Sequence, residues 1–122
     1  MNQSWVTVVD DDESVRESLP DLLKQLGFAS RAFESALEFL AYGTLDRTRC
    51  VILDVAMPGM SGPELQRELL QRGRKVPIIF ITAQGDEKVR SAVLAQGAAA
   101  YLLKPFTERE LRAALDAALG TS

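Results

Sequence analysis

The strongest limit on the fold of this chain is a regular alternation along its sequence. Five short apolar segments, at residues 5–9, 28–33, 50–53, 76–81 and 99–103, are each followed by a segment with helical periodicity. Strands that alternate with helices through short connections pair in parallel, and right-handed crossovers place the helices on both faces of the sheet. The sequence therefore predicts an α/β fold: a doubly wound, five-stranded parallel sheet in a three-layer sandwich.

Cap and stop residues place the helices between these strands. We predict helices over residues 13–26, 35–43, 62–72, 86–96 and 107–119. Ser61 is a suitable N-cap for the third helix, and Thr107 with Glu110 has the sequence of a capping box at the start of the last. Glycines follow the predicted helices, as expected where a chain must leave a helix in a left-handed conformation.

The predicted strands differ in how deeply they should be buried. Residues 76–81 are apolar throughout and should be covered on both faces, whereas residues 28–33 alternate in the manner of an edge strand. Residues 44–49 are polar and indicate a connection to the third strand. With 122 residues and no linker, repeat or low-complexity segment, the chain is expected to form one domain over residues 1–122.

Polar residues stand at the carboxyl ends of four of the five predicted strands. They are Asp10, Asp11 and Asp12 after the first strand, Asp54 after the third, Thr82 after the fourth and Lys104 after the fifth. The carboxyl ends of parallel strands share one edge of the sheet, so these side chains should converge on one rim. Carboxylates drawn together repel one another unless cations intervene, and a lysine and a divalent metal would supply those cations.

The residue types at this rim narrow the chemistry. The chain has no histidine and a single cysteine, which excludes Ser-His and Cys-His catalysis, His-based metal sites and an internal disulfide. Oxygen ligands alone suit a hard ion such as Mg²⁺. With such an ion, a carboxylate can act as the nucleophile toward a phosphoryl group. Asp54 taken alone could instead be a helix or turn cap, and Asp12 is better interpreted as a helix cap.

Composition excludes several other classes of protein. The net charge of −3 gives no basic surface for direct binding of nucleic acid. No apolar segment approaches the length that spans a membrane, and nothing near Met1 resembles a signal peptide. Cys50 lies inside an apolar segment and has no disulfide partner in the chain, so a cytoplasmic location is expected.

Four segments together resemble the receiver domain of bacterial two-component response regulators. They are residues 8–12 (VVDDD), 54–62 (DVAMPGMSG), 81–85 (ITAQG) and 104–106 (KPF). The resemblance covers essentially the whole chain and is strongest to receivers of nitrogen-fixation-type helix-turn-helix regulators. It implies a flavodoxin-like (βα)5 sheet with strand order 2-1-3-4-5. It also implies a phosphorelay signalling switch, not an enzyme, that catalyses only its own phosphorylation and slow autodephosphorylation, with no output domain in this chain.

The resemblance assigns the phosphoryl acceptor and the metal ligands. Asp54 matches the residue that accepts a phosphoryl group from the phosphohistidine of a sensor histidine kinase or phosphotransfer protein. Asp10 and Asp11 match the acidic pair that holds Mg²⁺, or Mn²⁺ as a substitute. Asp54 and the backbone carbonyl of Ala56 are implied to complete the protein ligands.

The resemblance also assigns the residues that respond to phosphorylation. Thr82 matches the switch hydroxyl, Lys104 the cation that pairs with the phosphoryl group, and Tyr101 the aromatic switch residue. The Lys104–Pro105 peptide bond is expected to be cis. Residues 86–119 form the face that would bind a second copy or an output domain.

Two other classes and several structural roles compete with this interpretation. A haloacid-dehalogenase-like phosphatase would use Asp10 as nucleophile and Asp12 as acid, and a constitutive interaction module would use the fold without phosphorylation. Asp10, Asp11 and Thr82 could also cap helices, Lys104 could be a solvated surface lysine, and Tyr101 could be ordinary packing.

Overall fold

The computed structural model describes residues 4–42 and 45–120. Within them the chain forms five strands: β1 (Trp5–Val9), β2 (Ser30–Phe33), β3 (Thr48–Asp54), β4 (Ile78–Thr82) and β5 (Ala100–Leu103). Helices follow the strands: α1 (Glu13–Gln25), α2 (Ala36–Tyr42), α3 (Gly62–Gln71), α4 (Glu87–Ala95) and α5 (Glu108–Leu119). A short 3-10 turn (Leu45–Arg47) precedes β3, and the expected end of the second helix at Gly43 lies outside the described residues.

The sheet has the order β2-β1-β3-β4-β5, and every pair of neighbouring strands is parallel. This confirms the predicted fold class and the strand order implied by the resemblance. The edge position of β2 is confirmed as well. Because all five strands run in one direction, their carboxyl ends meet at a single edge of the sheet.

Two hydrophobic cores cover the two faces of the sheet. One contains side chains of α2, α3 and α4, packed against residues of β1, β3 and β4 that include Leu53 and Phe80. The other contains side chains of α1 and α5, packed against residues that include Ile52 and Ile81. Successive strand residues alternate between the two cores, so β4 is buried at every position, as its apolar sequence predicted.

The strand bounds differ from the predicted ones in places. β3 begins at Thr48, so the interpretation of its first two residues as connection was wrong. Thr48 is the sheet partner of Trp5, and its hydroxyl lies 2.9 Å from that of Thr7, a contact that the polar local sequence did not reveal. β2 begins only at Ser30, two residues after the predicted start.

The helix caps follow the sequence closely. Ser61 with Glu64, and Thr107 with Glu110, form capping boxes at the starts of α3 and α5. The Asp12 carboxylate accepts the N–H of Ser14 at the start of α1, which confirms its role as a cap. None of the helices in the described part of the chain combines the length and the apolar character required to cross a bilayer.

Candidate functional site

Asp10 leaves the end of β1 and points into the protein. The residue is fully buried, and its carboxylate Oδ1 accepts the N–H of Asp12 at 2.9 Å. Its backbone N–H donates to the carbonyl of Phe33 at 3.1 Å. The guanidinium of Arg16 donates to the backbone carbonyl of Asp10 at 3.0 Å. Arg16 and Phe33 therefore hold the backbone of Asp10 in place, and the Asp12 N–H orients its carboxylate.

Asp54 is the last residue of β3 and is only 6% exposed. The chain turns tightly beyond it, since the N–H of Gly62 donates to the carbonyl of Val55 at 2.9 Å. A Cβ atom at residue 62 would lie 2.4 Å from the backbone oxygen of Asp54, closer than real contacts allow. Glycine at residue 62 is therefore required for α3 to begin so close to the acidic residue.

Three carboxylates converge at this edge of the sheet. Asp10, Asp11 and Asp54 each offer one carboxylate oxygen, and these oxygens lie within 4.8 Å of one another. Asp11 is exposed while the other two are buried. Ala56 lies two residues past Asp54 in the exposed part of the loop. A set of oxygen donors open to solvent on one side fits a hard divalent cation that keeps some of its water ligands.

Lys104 supplies a positive charge to the same cluster. Its Nζ lies 2.9 Å from Oδ2 of Asp10 and 3.6 Å from Oδ1 of Asp54. The backbone N–H of Lys104 donates to the carbonyl of Thr82 at 2.8 Å, and the Lys104–Pro105 bond is cis, as expected. Burial by itself would lower the pKa of this lysine, but the hydrogen bond and charge of Asp10, with the charge of Asp54, raise it.

The Asp54 carboxyl is electrostatically unusual. Burial, followed by the negative charge of Asp10, raises its pKa to about 7 from an ordinary value of 3.8. The neighbouring Asp11 carboxyl acts in the same direction, and Lys104 opposes them. Without a further cation, the ionised form of Asp54 is therefore disfavoured near neutral pH.

The hydroxyl groups of Thr82 and Tyr101 are bonded outside the acidic cluster, and Thr82 is tied to the site by its backbone carbonyl, which accepts the Lys104 N–H. The Thr82 hydroxyl donates to the carbonyl of Gln84 at 3.0 Å and lies 3.2 Å from the N–H of the same residue. Asp86, not Thr82, caps α4. The hydroxyl of Tyr101, a half-buried residue, accepts the N–H of Asp86 at 3.2 Å. These bonds connect the end of β4 and the middle of β5 to the loop that leads into α4.

Sequence reasoning missed three residues with defined structural roles. Arg16 holds the Asp10 carbonyl, Gly62 permits the tight turn, and the Gln66 side chain donates to the carbonyl of Val93. A signal for Gln66 was present, because this polar residue falls within the helical stripe that also contains Leu69. The role of Gly62 left no local signal, since it depends on the distance to another element.

The fold and the arrangement of charges at its carboxyl edge define a phospho-signalling domain. The family model for the response regulator receiver domain matches residues 6–116, and the chain belongs to this family. It is therefore a signalling domain of two-component systems. Receiver domains of this family interact with histidine kinases, and the cluster of Asp10, Asp11 and Asp54 fits a phospho-signalling switch that can bind a metal.

The relatives of the chain include FixJ, which is consistent with the resemblance to receivers of nitrogen-fixation-type regulators. It is 44% identical over 118 residues to the transcriptional regulatory protein TdiR of Thauera aromatica, covering 97% of this chain and 52% of TdiR. It is 45% identical over 118 residues to the transcriptional regulatory protein FixJ of Azorhizobium caulinodans, covering 96% of this chain and 56% of FixJ. The chain thus spans about half the length of these curated relatives.

A solved structure also shows the similarity of this chain to FixJ. The crystal structure of FixJ-N superposes with a TM-score of 0.86 at 35% sequence identity, covering 100% of this chain and 98% of that one.

Proposed function

We propose that this domain is a phosphorylation-dependent switch in which Asp54 accepts a phosphoryl group from a phosphohistidine of a sensor histidine kinase or phosphotransfer protein. A carboxylate oxygen of Asp54 forms the new bond to phosphorus while the phosphorus–nitrogen bond of the donor breaks and its electron pair returns to the imidazole. The main support for this proposal is the position of Asp54. The residue is 6% exposed, and its Oδ1 lies 3.6 Å from Nζ of Lys104.

Three carboxylates and one carbonyl would hold the metal. We assign Asp10, Asp11, Asp54 and the backbone carbonyl of Ala56 as ligands of Mg²⁺, with Mn²⁺ as a substitute. When bound, the metal neutralises charge on the phosphoryl oxygens. The support is the spacing of the three carboxylate oxygens, all within 4.8 Å, and the solvent-exposed side of the cluster.

Lys104 would pair with the phosphoryl group once Asp54 is modified. Its ammonium already lies between Asp10 and Asp54, so a phosphoryl group at Asp54 would meet a positive charge without rearrangement of β5. Water attacking the same phosphorus would release phosphate and regenerate the carboxylate. The chain would in this way catalyse its own phosphorylation and a slow autodephosphorylation.

Thr82 and Tyr101 would carry the change to the surface. A phosphoryl oxygen would compete with Gln84 for the Thr82 hydroxyl, and space left by Thr82 would let Tyr101 turn inward, away from Asp86. The 86–119 face has an open groove of about 470 Å³ whose lining includes Leu103, which is 53% exposed. This face would bind a second copy or an output domain.

The sheet and the composition bear on the extent of the domain and on its location in the cell. One sheet contains every strand in residues 4–42 and 45–120, which supports a single receiver domain over residues 1–122. A cytoplasmic location, without direct nucleic-acid binding, stays a prediction from composition. Free, buried Cys50 accords with a reducing compartment.

Intact mass measurement tests the acceptor. The wild type, Asp54→Asn and Asp10→Asn are incubated with Mg²⁺ and acetyl phosphate. We expect one phosphoryl adduct on the wild type that requires Mg²⁺ and is absent from Asp54→Asn. An adduct that survives Asp54→Asn but is lost in Asp10→Asn would favour the phosphatase-like alternative. No adduct on the wild type would favour the constitutive interaction module.

A second measurement tests the switch. The amide resonance of Asp86 reports its bond to Tyr101. We expect phosphorylation to shift this resonance in the wild type and in Thr82→Ser, which keeps the hydroxyl. In Thr82→Ala the adduct should still form while the Asp86 resonance stays in place. A normal shift in Thr82→Ala would contradict the assigned role.

A further inference from the structure

Helix α4 is attached to the rest of the domain unevenly. Of its nine described residues, only Val93 is buried, whereas α3 buries four residues and α5 buries three. In the first half of α4, Val89 is partly buried and its neighbours are exposed. Apolar burial therefore holds α4 mainly near its carboxyl-terminal end, and the beginning of the helix has little to resist a displacement.

A buried amide strengthens the attachment at that same end. Gln66 of α3 is only 3% exposed, and its Nε2 donates to the backbone carbonyl of Val93 at 3.0 Å. The N–H of Ala98 donates to the same carbonyl, also at 3.0 Å. The last carbonyls of a helix lack partners within the helix, so the second donor from α3 ties the end of α4 to another element. Away from water, such a bond is hard to exchange for a solvent contact.

The beginning of α4 has a weaker attachment. The N–H of Asp86 donates to the Tyr101 hydroxyl at 3.2 Å in an exposed position. The Asp86 carboxylate caps Lys88 and Val89 of its own helix and would move with it. Exposed hydrogen bonds contribute little net stability, because water replaces them. The two ends of α4 thus differ in burial and in the kind of bond that holds them.

We propose that Gln66 is a positioning residue that tethers the end of α4 to α3, so that α4 turns about Val93 when the switch operates. Residues 86–92 move and residues 93–98 stay in place. The 86–119 face is then changed by a rotation of one helix. The movement rests on the proposed function, but the tether itself is a property of the unphosphorylated domain.

Amide hydrogen exchange, measured by NMR on the whole chain, tests the tether. Gln66→Leu removes the donor at similar volume, and Gln71→Leu, at an exposed position on the same helix, is the matched control. In the unphosphorylated Gln66→Leu variant we expect the Gly97 and Ala98 amides to exchange about five- to tenfold faster than in the wild type. Gln71→Leu should leave these amides unchanged.

Phosphorylation with acetyl phosphate and Mg²⁺ then tests the pivot. In the wild type, exchange should change within residues 86–92 and stay constant at Gly97 and Ala98. In Gln66→Leu the change should spread to the end of the helix. Equal exchange of Ala98 in Gln66→Leu and wild type would overturn the tether. A wild-type change as large at Ala98 as at residues 86–92 would overturn the pivot.

Two controls separate the possible failures. Exchange at the slowest amides of β3 reports global unfolding, so only acceleration beyond that of β3 counts for the tether. If Gln66→Leu does not fold, Gln66→Met, with a more adaptable side chain, replaces it. If intact mass shows no adduct on Asp54, the proposed function fails. The tether is then judged on the unphosphorylated comparison alone.

Discussion

The ammonium of Lys104 lies 2.9 Å from Oδ2 of Asp10, although β5 and β1 are not neighbours in the sheet. β3 and β4 lie between them, so the lysine side chain reaches across the carboxyl ends of two strands. Asp54 ends β3, on the path of that reach, and this accounts for its distance of 3.6 Å from the same ammonium. One long side chain thus connects the strands that supply the acidic cluster.

Removing this cation should destabilise the metal-free protein. In Lys104→Met the fully buried Asp10 carboxylate loses its counter-ion, so we expect the free energy of unfolding at pH 8 to fall by about 2–4 kcal/mol. Urea unfolding in EDTA measures the change. Lys88→Met, at an exposed position on α4, is the control and should have little effect. Similar free energies of unfolding for the two variants would show that Lys104 does not offset the negative charge of the acidic cluster.

Asp54→Asn should stabilise the metal-free protein at high pH. The pKa of Asp54 is raised to about 7 in the folded state, above its ordinary value of 3.8. The contribution of the Asp54 carboxyl to the free energy of unfolding is therefore fully present below about pH 4 and is lost as the pH rises through about 7. Asparagine does not ionise, so relative to the wild type the variant should gain about 1–3 kcal/mol between pH 4 and pH 8.

Urea unfolding at several pH values in EDTA checks this sign. Asp21→Asn, which removes an exposed carboxylate from α1, is the control and should not reproduce the gain. A constant difference between Asp54→Asn and wild type across the range would mean that burial and Asp10 do not disfavour the Asp54 charge.

Divalent metal should stabilise the wild type through Asp11. Ligand bound only to the folded state raises the melting temperature with the logarithm of its concentration. Asp11 is exposed, so Asp11→Asn should leave the metal-free melting temperature within about 2 °C of the wild type. The rise with MgCl₂ should nevertheless be reduced by more than half. Differential scanning fluorimetry at constant ionic strength measures both, with Glu13→Gln as the neighbouring control. An undiminished rise in Asp11→Asn would remove Asp11 from the ligand set.

Gly62→Ala should damage both stability and phosphoryl acceptance. The added Cβ would lie 2.4 Å from the backbone oxygen of Asp54, so β3 and α3 must separate. We expect a loss of about 2–4 kcal/mol, as for an overpacked site, together with slower formation of the Asp54 adduct. Urea unfolding and intact mass measure the two effects.

Gly85→Ala is the comparison for this substitution. There the added Cβ would meet the tip of the exposed Leu103 side chain at 3.0 Å, and that flexible side chain can move aside. We expect a loss of less than about 1 kcal/mol. Equal losses at the two glycines would show that the turn after Asp54 tolerates a side chain.

Local rules explain why so much of the fold was predictable. The alternation of apolar segments and helical stripes indicated the α/β class, and the side chains of Ser61, Thr107 and Asp12 marked helix starts that the structure confirms. The first two residues of β3 were mistaken for a connection because the partner of Thr48 is Trp5, far away in the sequence. Strand pairing depends on such distant partners, and a local pattern does not contain them.

The same distinction between local and distant contacts applies to the candidate site. The sequence by itself determined that Asp10, Asp11, Asp54 and Lys104 stand at strand ends. The apolar segments and the turn residues that follow them are features of the local sequence. Only the tertiary structure decided that Lys104 contacts Asp10 across two strands, that Asp54 is buried enough to raise its pKa, and that Gln66 meets the end of α4. Burial and electrostatic interaction depend on distances between residues far apart along the chain, and those distances exist only once the sheet has assembled its strands in order.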